Sequence, residues 1–347
     1  MDNRRVILDG MGGDNAPDAI IEGAVQAAGA IPCKIFIVGD EALIKKGLAA
    51  RGYSGQSIEA VHADEVISGH EAPVKAVRTK TRSSMVVGLN MLKNNEGDVF
   101  ISAGNTGALM AGGLFILGRI QGIDRPAIAT TYPIFTGGVA LLADSGANSE
   151  CKPNNLLEFA TMGSIYMEKV IGVRNPRVAL INMGTEENKG TTVLKAAYEL
   201  LCKSRDEYGN INFIGNIEAR DLPIGVADVL VCDGYVGNVI LKLTEGLAGA
   251  LFQQIKSKFT EGAVSKLGAL LLAGKIRGLR DTFDYSEYGG APILGVKGAL
   301  VKMHGSSNAN AVKNAIIKSI PYIENEVVQC IENTVLEMEA VAIDSQD

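Results

Sequence analysis

Tryptophan is absent from this sequence of 347 residues, and aromatic residues make up only 5% of it. The five cysteines are scattered and none forms a CxxC pair, so neither a disulfide framework nor a zinc site is indicated. The three histidines, His62, His70 and His304, stand singly, and neither HExxH nor another metal-ligand spacing occurs. We therefore expect no catalytic metal.

Long apolar runs and an excess of basic charge are also missing. No stretch approaches the roughly 18 apolar residues that a membrane-spanning helix requires, and the charged start of the chain leads into no signal-peptide core. With 33 basic and 39 acidic side chains the formal charge is −6, which argues against nucleic-acid binding because a duplex is bound by a basic face. We expect a cytoplasmic protein without a nucleic-acid partner.

Glycine, by contrast, is abundant. The chain has 41 glycines, about 12% of its residues, against a usual share of roughly 7%. They follow no three-residue period, which excludes collagen, and a hydrophobic content of 47% with 21% charged residues excludes disorder. An excess of glycine indicates sharp turns and places where the backbone comes close to another group.

Short aliphatic runs alternate with longer helical patterns along the chain. The runs predict buried strands at 6–8, 35–38, 99–101, 139–142, 178–181 and 229–232. The helical patterns lie at roughly 17–30, 40–52, 72–94, 107–120, 154–171, 191–205 and 238–260, with a long amphipathic helix at 321–342. Because the strands are apolar almost throughout, as parallel strands covered on both faces are, the pattern predicts an open α/β sheet.

Glycine and small polar residues follow five of the predicted strands. These loops cover residues 9–15, 102–107, 144–148, 182–190 and 233–238. Ligands of open α/β sheets bind beyond the carboxyl ends of the strands. We therefore expect the glycine-rich loops to gather at one edge of the sheet and to form a binding crevice there.

The Gly-Asn-Thr turn at 104–106 lies between a predicted strand and a predicted helix. Such a turn aims backbone N–H groups and a helix N-terminus at one point, which suits an anion such as phosphate. The stretch from His304 through Ser306 and Ser307 repeats the arrangement. The alternative in both places is an ordinary turn in which a polar side chain caps the helix.

Lys189 and Asn238 are the two polar residues whose positions favour hydrogen-bond donation to a substrate. Lys189 sits in a glycine-flanked loop behind Glu186 and Glu187, where it is able to donate to an oxyanion or a phosphate. Asn238 opens a predicted helix after a glycine and is able to donate its amide to a polarised carbonyl. The alternatives are a solvated loop lysine and a helix-capping asparagine.

Common nucleotide-binding and hydrolase motifs are absent from this sequence. The loop at 10–15 resembles a dinucleotide loop, but GxGxxG requires glycine where Asn15 stands. Gly274 and Lys275 are followed by Ile276, so no Walker A motif exists, and no GxSxG elbow is present. We expect no nucleotide cofactor, and a serine hydrolase is disfavoured.

Taken together, these loops resemble the acyl-carrier-protein:phosphate acyltransferase family of bacterial phospholipid synthesis, known as PlsX. The most specific matches are SAGNTGALMAGG at 102–113, DYSEYGGAPILGV at 284–296 and HGSSNA at 304–309. Further matches are DGMGGDNAP (9–17), GRIQGIDRPAIA (118–129), DSGANSECKP (144–153), MGSIY (162–166), NFIGNIEARD (212–221) and VADVLVCDGYVGNV (226–239). The resemblance covers nearly the whole chain, with the motifs in the family's order.

The resemblance implies that inorganic phosphate attacks the thioester of an acyl carrier protein, releasing acyl phosphate and free carrier thiol without a cofactor. Phosphate is then the nucleophile, so no serine or cysteine nucleophile is needed. Lys189 and Asn238 match the family's catalytic positions, and Asp14 and Glu187 are supporting candidates. The phosphate cradle would comprise Gly104, Asn105, Thr106, Ser306 and Ser307, with His304 nearby.

The resemblance also implies a single three-layer α/β/α sandwich over residues 1–347, with a mainly parallel sheet. This architecture would be similar to that of phosphotransacetylases and of isocitrate and isopropylmalate dehydrogenases, and the protein would be a homodimer. Some motif positions depart from the family. Gly10 and Asn15 stand where alanine and histidine are usual, and Ser145 and Glu150 stand where an aliphatic residue and aspartate are usual. A histidine has no role at position 15 here.

Residues 261–283 break the α/β alternation and form a basic amphipathic pattern predicted to protrude from the catalytic unit. Its leucines and cations include Lys266, Leu270, Leu271, Lys275, Arg277 and Arg280. The cations suit an acidic carrier protein, and the leucines suit an anionic membrane surface. A third interpretation is a hairpin that buries the leucines between two subunits of a dimer.

Membrane contact at this segment would place the protein near a downstream glycerol-3-phosphate acyltransferase. Two other functions compete with the phosphate acyltransferase. One is a phosphotransacetylase-like enzyme that uses acetyl-CoA, and the other is a non-catalytic, membrane-associated scaffold in lipid synthesis.

Overall fold

Eleven strands form one sheet in the computed structural model, which describes residues 4–262, 265, 268, 270, 272, 274, 278 and 285–344. The strands are β1 Arg5–Asp9, β2 Lys34–Gly39, β3 Ile58–His62, β4 Val99–Ser102, β5 Ala127–Pro133, β6 Val139–Ala143, β7 Arg177–Asn182, β8 Asn212–Glu218, β9 Val229–Val231, β10 Ala291–Leu294 and β11 Ala299–Lys302. Their order across the sheet is β3-β2-β1-β4-β11-β10-β5-β6-β9-β7-β8. The six predicted strands are all present.

Ten α-helices of the described residues cover this sheet. They are α1 Asp18–Ala30, α2 Glu41–Ala50, α3 Pro73–Thr79, α4 Ser84–Lys93, α5 Thr106–Gly112, α6 Pro153–Tyr166, α7 Thr192–Lys203, α8 Gly234–Thr260, α9 Ala309–Glu324 and α10 Val327–Asp344. A turn of π-helix extends α5, α6 and α7. Short 3₁₀ segments lie at Ala219–Ile224 and Tyr285–Glu287.

The sheet consists of two parallel blocks. Strands β3, β2, β1, β4 and β11 run parallel to one another and form the first block. Strands β6, β9, β7 and β8 are likewise mutually parallel and form the second block. The prediction of a mainly parallel sheet is therefore confirmed.

Strands β10 and β5 join the blocks through antiparallel pairings, so the two blocks run in opposite directions. The prediction that all the glycine-rich loops leave one edge of a single parallel sheet is therefore wrong. The first half of β10 pairs with β11, its second half pairs with the start of β5, and β5 continues past β10 to pair with β6. Because of this stagger, the carboxyl ends of the two blocks face a shared space.

Both faces of the sheet are buried. In β1, Val6 and Leu8 pack into the cluster formed with α1, α6 and α9, whereas Ile7 packs into the cluster formed with α3, α4 and α5. All three side chains are fully buried, and each such side chain contributes roughly 1.5–3 kcal/mol to folding. Helices on both faces of a mainly parallel sheet make the three-layer α/β/α sandwich that was expected.

Two helix predictions need correction. The pattern at 72–94 forms two helices, because the Ser83 hydroxyl caps a new helix by accepting a hydrogen bond from the Val86 N–H at 3.4 Å. The C-terminal pattern is also divided. Pro321 lies inside α9, and the chain breaks at Glu326, whose φ of 47° is incompatible with a continuous right-handed helix, before α10 begins.

Part of the basic amphipathic segment lies within the described residues. Leu270 is helical and 74% exposed, and Leu272 is also exposed. Five of its predicted contact residues, Lys266, Leu271, Lys275, Arg277 and Arg280, lie outside the described residues. Within the described part of the chain, no helix combines the length and the apolar character needed to cross a membrane.

Candidate active site

A cavity of about 620 Å³ lies where the carboxyl ends of the two blocks meet. The first block lines it with Thr106 from the start of α5 and with residues 302–305 and 307 after β11. The second block lines it with Ser145 and Gly146 after β6 and with Asn238 and neighbouring residues of α8. Thr106, Asn238, His304 and Ser307, all predicted from the sequence, therefore share one cavity.

A buried carboxylate fixes the loop after β4. Asp9, at the end of β1, accepts hydrogen bonds from the hydroxyls of Ser84 at 2.6 Å and Ser102 at 2.7 Å. The Ser102 hydroxyl in turn accepts from the Gly104 N–H at 3.0 Å. A side chain at Gly12 would overlap both Asp9 and the Gly104 nitrogen, so glycine at that position lets the two loops touch.

Asn105 organises the turn through its side chain. Its carboxamide oxygen accepts from the Ala108 N–H at 3.0 Å and caps α5, while its amide donates to the carbonyls of Ser68, Gly69 and Glu71. Asn105 does not line the cavity, whereas its neighbour Thr106 does. The capping interpretation therefore describes the Asn105 side chain.

The loop after β11 is held by the loop after β1. The Asp14 N–H donates to the Gly305 carbonyl at 2.8 Å, and the Asn15 amide donates to the carbonyls of Ser306 and Ser307. Asn15 thus anchors the second candidate cradle. The helix cap here is Asn308, whose side chain accepts from the Ala311 N–H.

His304 and Ser306 lie in direct contact in this loop. The Nδ1 atom of His304 is 2.8 Å from the Ser306 hydroxyl oxygen, and the Ser307 hydroxyl donates to the His304 carbonyl at 2.7 Å. Partial burial lowers the pKa of His304, and the positive charges of Lys242 and Lys302 lower it further. At neutral pH the imidazole is therefore uncharged and able to accept a proton.

Asn238 lies in the first turn of α8 with its side chain exposed to the cavity. The cap of this helix is Asp233, whose carboxylate accepts from the Val236 N–H at 2.8 Å, so the capping alternative for Asn238 is wrong. The Asn238 amide makes no hydrogen bond to any residue that the structure describes. It is available to a substrate carbonyl.

The loop after β6 is built around the buried carboxylate of Asp144. This carboxylate accepts hydrogen bonds from the backbone N–H groups of Ile128, Gly146, Ala147 and Asn148. Burial raises the pKa of Asp144, and these N–H donors oppose the rise. A side chain at Gly146 would lie 3.8 Å from Asn238, so the fixed loop forms the wall beside that amide.

Lys189 and Glu187 lie on the loop after β7, and neither lines the cavity. The Lys189 ammonium is 3.8 Å from a carboxylate oxygen of Glu186, and its side chain is 46% exposed. Glu187 accepts a hydrogen bond from the Tyr198 hydroxyl at 3.1 Å. The Asn182 amide anchors the loop by donating to the Lys189 carbonyl.

Lys302 is a lysine of the cavity that the sequence analysis missed. It ends β11, and its ammonium donates to the carbonyls of Gly104, at 2.7 Å, and Met303. Burial lowers its pKa to about 8, while the negative charges of Asp9 and Asp14 oppose the shift. The signal available in the sequence was its position between an apolar run and the HGSSNA motif.

The fold is similar to that of two phosphotransacetylases of known structure. A phosphotransacetylase from Streptococcus pyogenes superposes with a TM-score of 0.65 at 16% identity, covering 94% of each chain. The EutD phosphotransacetylase from Staphylococcus aureus superposes with a TM-score of 0.60 at 16% identity, covering 92% of this chain and 94% of the other. At these identities the likeness concerns the fold alone.

Sequence comparison defines the family. The family model described as "Fatty acid synthesis protein" matches residues 4–330, and the chain belongs to this family. A protein of Alkaliphilus oremlandii named phosphate acyltransferase is 50% identical over 95% of this chain and 97% of its own length. The Clostridioides difficile protein of the same name is 47% identical over 94% of each chain.

Proposed function

We propose that this protein is a phosphate acyltransferase, which transfers a fatty acyl group from acyl carrier protein to inorganic phosphate and so supplies acyl phosphate for phospholipid synthesis. The observation that carries the proposal is the convergence of Thr106, His304, Ser307 and Asn238 on one cavity. These residues come from three family motifs and from both blocks of the sheet. Identities of 46–50% to proteins named phosphate acyltransferase support it.

The reaction is a displacement at the thioester carbonyl. A phosphate oxygen attacks the carbonyl carbon, the carbonyl oxygen becomes negative, and the C–S bond then breaks as the carrier thiolate leaves. The proton of monohydrogen phosphate ends on that thiolate, so the charges balance. The protein has to hold phosphate in line with the carbonyl and to provide donors at the developing oxyanion.

The cavity offers donors for each of these tasks. We assign the Thr106 hydroxyl to phosphate, with the Ser307 hydroxyl beside it, which would turn from the His304 carbonyl toward a bound phosphate. Gly104 acts by holding the turn, since its N–H donates to the Ser102 hydroxyl and its carbonyl accepts from Lys302. The Asn238 amide is assigned to the thioester carbonyl and its oxyanion. Asn105 and Ser306 act by shaping the two turns, and Asp14 acts through its backbone bond to Gly305.

Lys189 is the second catalytic residue of the proposal. It would join Asn238 at the carbonyl oxygen when the loop at 183–190 turns toward the bound thioester. Its only ion pair within the described chain is the long, exposed one to Glu186, and such a pair is worth less than about 1 kcal/mol. That contact therefore opposes the movement weakly, and Glu187 would steady the loop through Tyr198.

We further propose a single catalytic unit that forms a homodimer and contacts the membrane peripherally. Helix α8 carries an apolar stripe, defined as Tyr235, which borders the cavity, and Leu243, Leu247 and Leu251, and these residues are 56–68% exposed. Leu270, in the 261–283 segment, is a further exposed leucine. The stripe suits a second subunit, whereas the protruding segment suits an anionic lipid surface or acyl carrier protein.

The proposed activity is tested by incubating the protein with phosphate and either acyl-acyl carrier protein or acetyl-CoA, without ATP or added metal. We expect acyl phosphate and free carrier thiol from the carrier thioester, in equal amounts. Activity with acetyl-CoA alone would make the protein a phosphotransacetylase. Absence of thiol release from either donor would leave only a scaffold function.

A further inference from the structure

Lys302, at the end of β11, and Lys242, on α8, are the two lysines among the described residues that line the cavity. The backbone of Lys302 pairs with Ser102 across the parallel β4–β11 ladder, so the end of one strand lies beside the start of the glycine-rich turn. From there its side chain reaches the Gly104 carbonyl and lines the cavity together with Thr106 and Ser307. Lys189 does not line this cavity.

The ammonium of Lys302 is only partly satisfied by the protein. An ammonium has three N–H donors, and two of them serve the carbonyls of Gly104 and Met303. The third N–H is bonded to no residue that the structure describes. Since the side chain lines the cavity, this donor is available to a ligand there.

The charge of Lys302 also lacks a direct partner among the described residues. Asp9 lies nearby, but its two carboxylate oxygens accept the hydroxyls of Ser84 and Ser102 and it forms no ion pair with the lysine. The direct hydrogen bonds of Lys302 are to neutral carbonyls, and Asp9 and Asp14 favour the charged form only from a distance. An anion in direct contact would stabilise this partly buried cation further. The geometry therefore favours an anionic ligand at this point.

We propose that Lys302 binds the phosphate nucleophile, donating its third N–H to a phosphate oxygen beside the hydroxyls of Thr106 and Ser307. This inference rests on the proposed function, since it makes phosphate the occupant of the polar end of the cavity. Lys302 is then a substrate-contacting catalytic residue, and its bond to Gly104 holds the turn and the phosphate in one arrangement. Lys189 and Asn238 remain at the thioester carbonyl.

The test is the binding of inorganic phosphate, measured by calorimetry on the full chain, together with the KM for phosphate. For Lys302→Met we expect both constants to rise on the order of 10- to 100-fold, as for loss of a charge-assisted hydrogen bond, with the KM for acyl carrier protein unchanged. Lys302→Arg keeps the charge and should recover most of the affinity. Lys297→Met, at an exposed lysine before β11, is the matched control.

Two outcomes would overturn the inference. One is a folded Lys302→Met protein that binds phosphate as tightly as the wild type, which would make Lys302 only a tie between β11 and the Gly104 turn. The other comes from the wild type and does not depend on the variant folding. Burial lowers the pKa of Lys302 to about 8, so its ammonium is lost as the pH rises through this region, and the phosphate Kd of the wild type should rise by up to the factor seen for Lys302→Met. A phosphate Kd that stays constant up to about pH 10 would exclude the lysine.

Other charged groups near Lys302 do not produce the same rise. Asp9 and Asp14 face it from β1 and the following loop, and His304 faces it from its own loop. The pKa of His304 is lowered from its ordinary value of about 6.5, so this histidine does not change charge above about pH 8. Phosphate binding needs no thioester, so these measurements remain decisive even if the protein forms no acyl phosphate.

Discussion

Gly237 lies directly against the backbone of Asp144, so closely that a β-carbon at position 237 would overlap the Asp144 carbonyl oxygen. This contact seats the first turn of α8 on the loop after β6. The position of the Asn238 amide, one residue later, depends on it. The loop after β6 and the start of α8 are thus held together by this contact, and Asn238, the proposed catalytic residue, directly follows it.

Replacing Gly237 by alanine should therefore damage stability and activity together. The added methyl group would overlap the Asp144 backbone, which cannot move aside easily, and would also crowd the Cys232 sulfur. We therefore expect a loss of roughly 1–3 kcal/mol in the free energy of unfolding and a fall of more than about tenfold in kcat/KM. Gly246→Ala is the control, because a β-carbon there meets nothing within 4 Å. Urea unfolding should show Gly246→Ala unchanged or slightly stabilised; equal effects of the two changes would contradict the packing argument.

Asn238→Ala and Lys189→Ala should each lower kcat and leave the protein folded. Loss of one oxyanion donor reduces kcat on the order of 10²- to 10³-fold, and both side chains are exposed enough that thermal stability should not change. Release of carrier thiol at saturating phosphate measures the effect. Lys195→Ala, at an exposed lysine of α7, is the control for Lys189. Full phosphate-dependent activity in either variant would remove that residue from the catalytic assignment.

His304 should titrate below the ordinary histidine value of about 6.5. Partial burial and the charge of Lys242 both lower its pKa, so the neutral form persists to more acid pH and any activity that needs it is lost only there. Lys242→Met removes one of the positive charges and should move the midpoint upward. Proton NMR of the imidazole checks both statements. A wild-type midpoint at or above 6.5 would contradict the lowered pKa.

Substitutions at Leu270 and in the α8 stripe should affect different properties of the protein. Leu270→Glu should weaken sedimentation with anionic vesicles and spare activity on soluble substrate, because Leu270 is 74% exposed and contributes to no core cluster of the described residues. Leu247→Glu, within the α8 stripe, should instead shift the protein toward monomer in analytical ultracentrifugation. If Leu270→Glu instead abolished the dimer and Leu247→Glu instead abolished sedimentation with vesicles, the two assignments would be reversed.

The fold class followed from the sequence because the buried strands are short, apolar and separated by amphipathic helices. The strands that were not predicted have other characters. β3, β5 and β8 mix polar residues with apolar ones, and β10 contains a proline. The reversal of direction between the blocks depends on β5 and β10, so it could not be derived from the six strands that the pattern revealed.

In the candidate site, too, some residues could be predicted from the sequence and others could not. Thr106, His304, Ser307 and Asn238 were found because glycine-rich loops after strands carry a local pattern. Lys302 carries none, since a lysine that ends an apolar run is an ordinary strand terminus. The proposed role of Lys302 depends on its hydrogen bond to the Gly104 carbonyl, which is 198 residues away in the chain. A contact between residues so far apart in the chain is determined by tertiary packing, so no local sequence pattern reveals it.

The order of the strands also governs how the protein is made. β11 inserts beside β4, with Ala299 paired to Val99, so the first block stays incomplete until about 200 further residues have been synthesised. Until then β4 presents an open edge on the nascent chain, and such edges invite aggregation. Contacts of this separation also slow folding. A ribosome that stops before β11 therefore releases a product without Lys302, without the second cradle and with an unprotected strand.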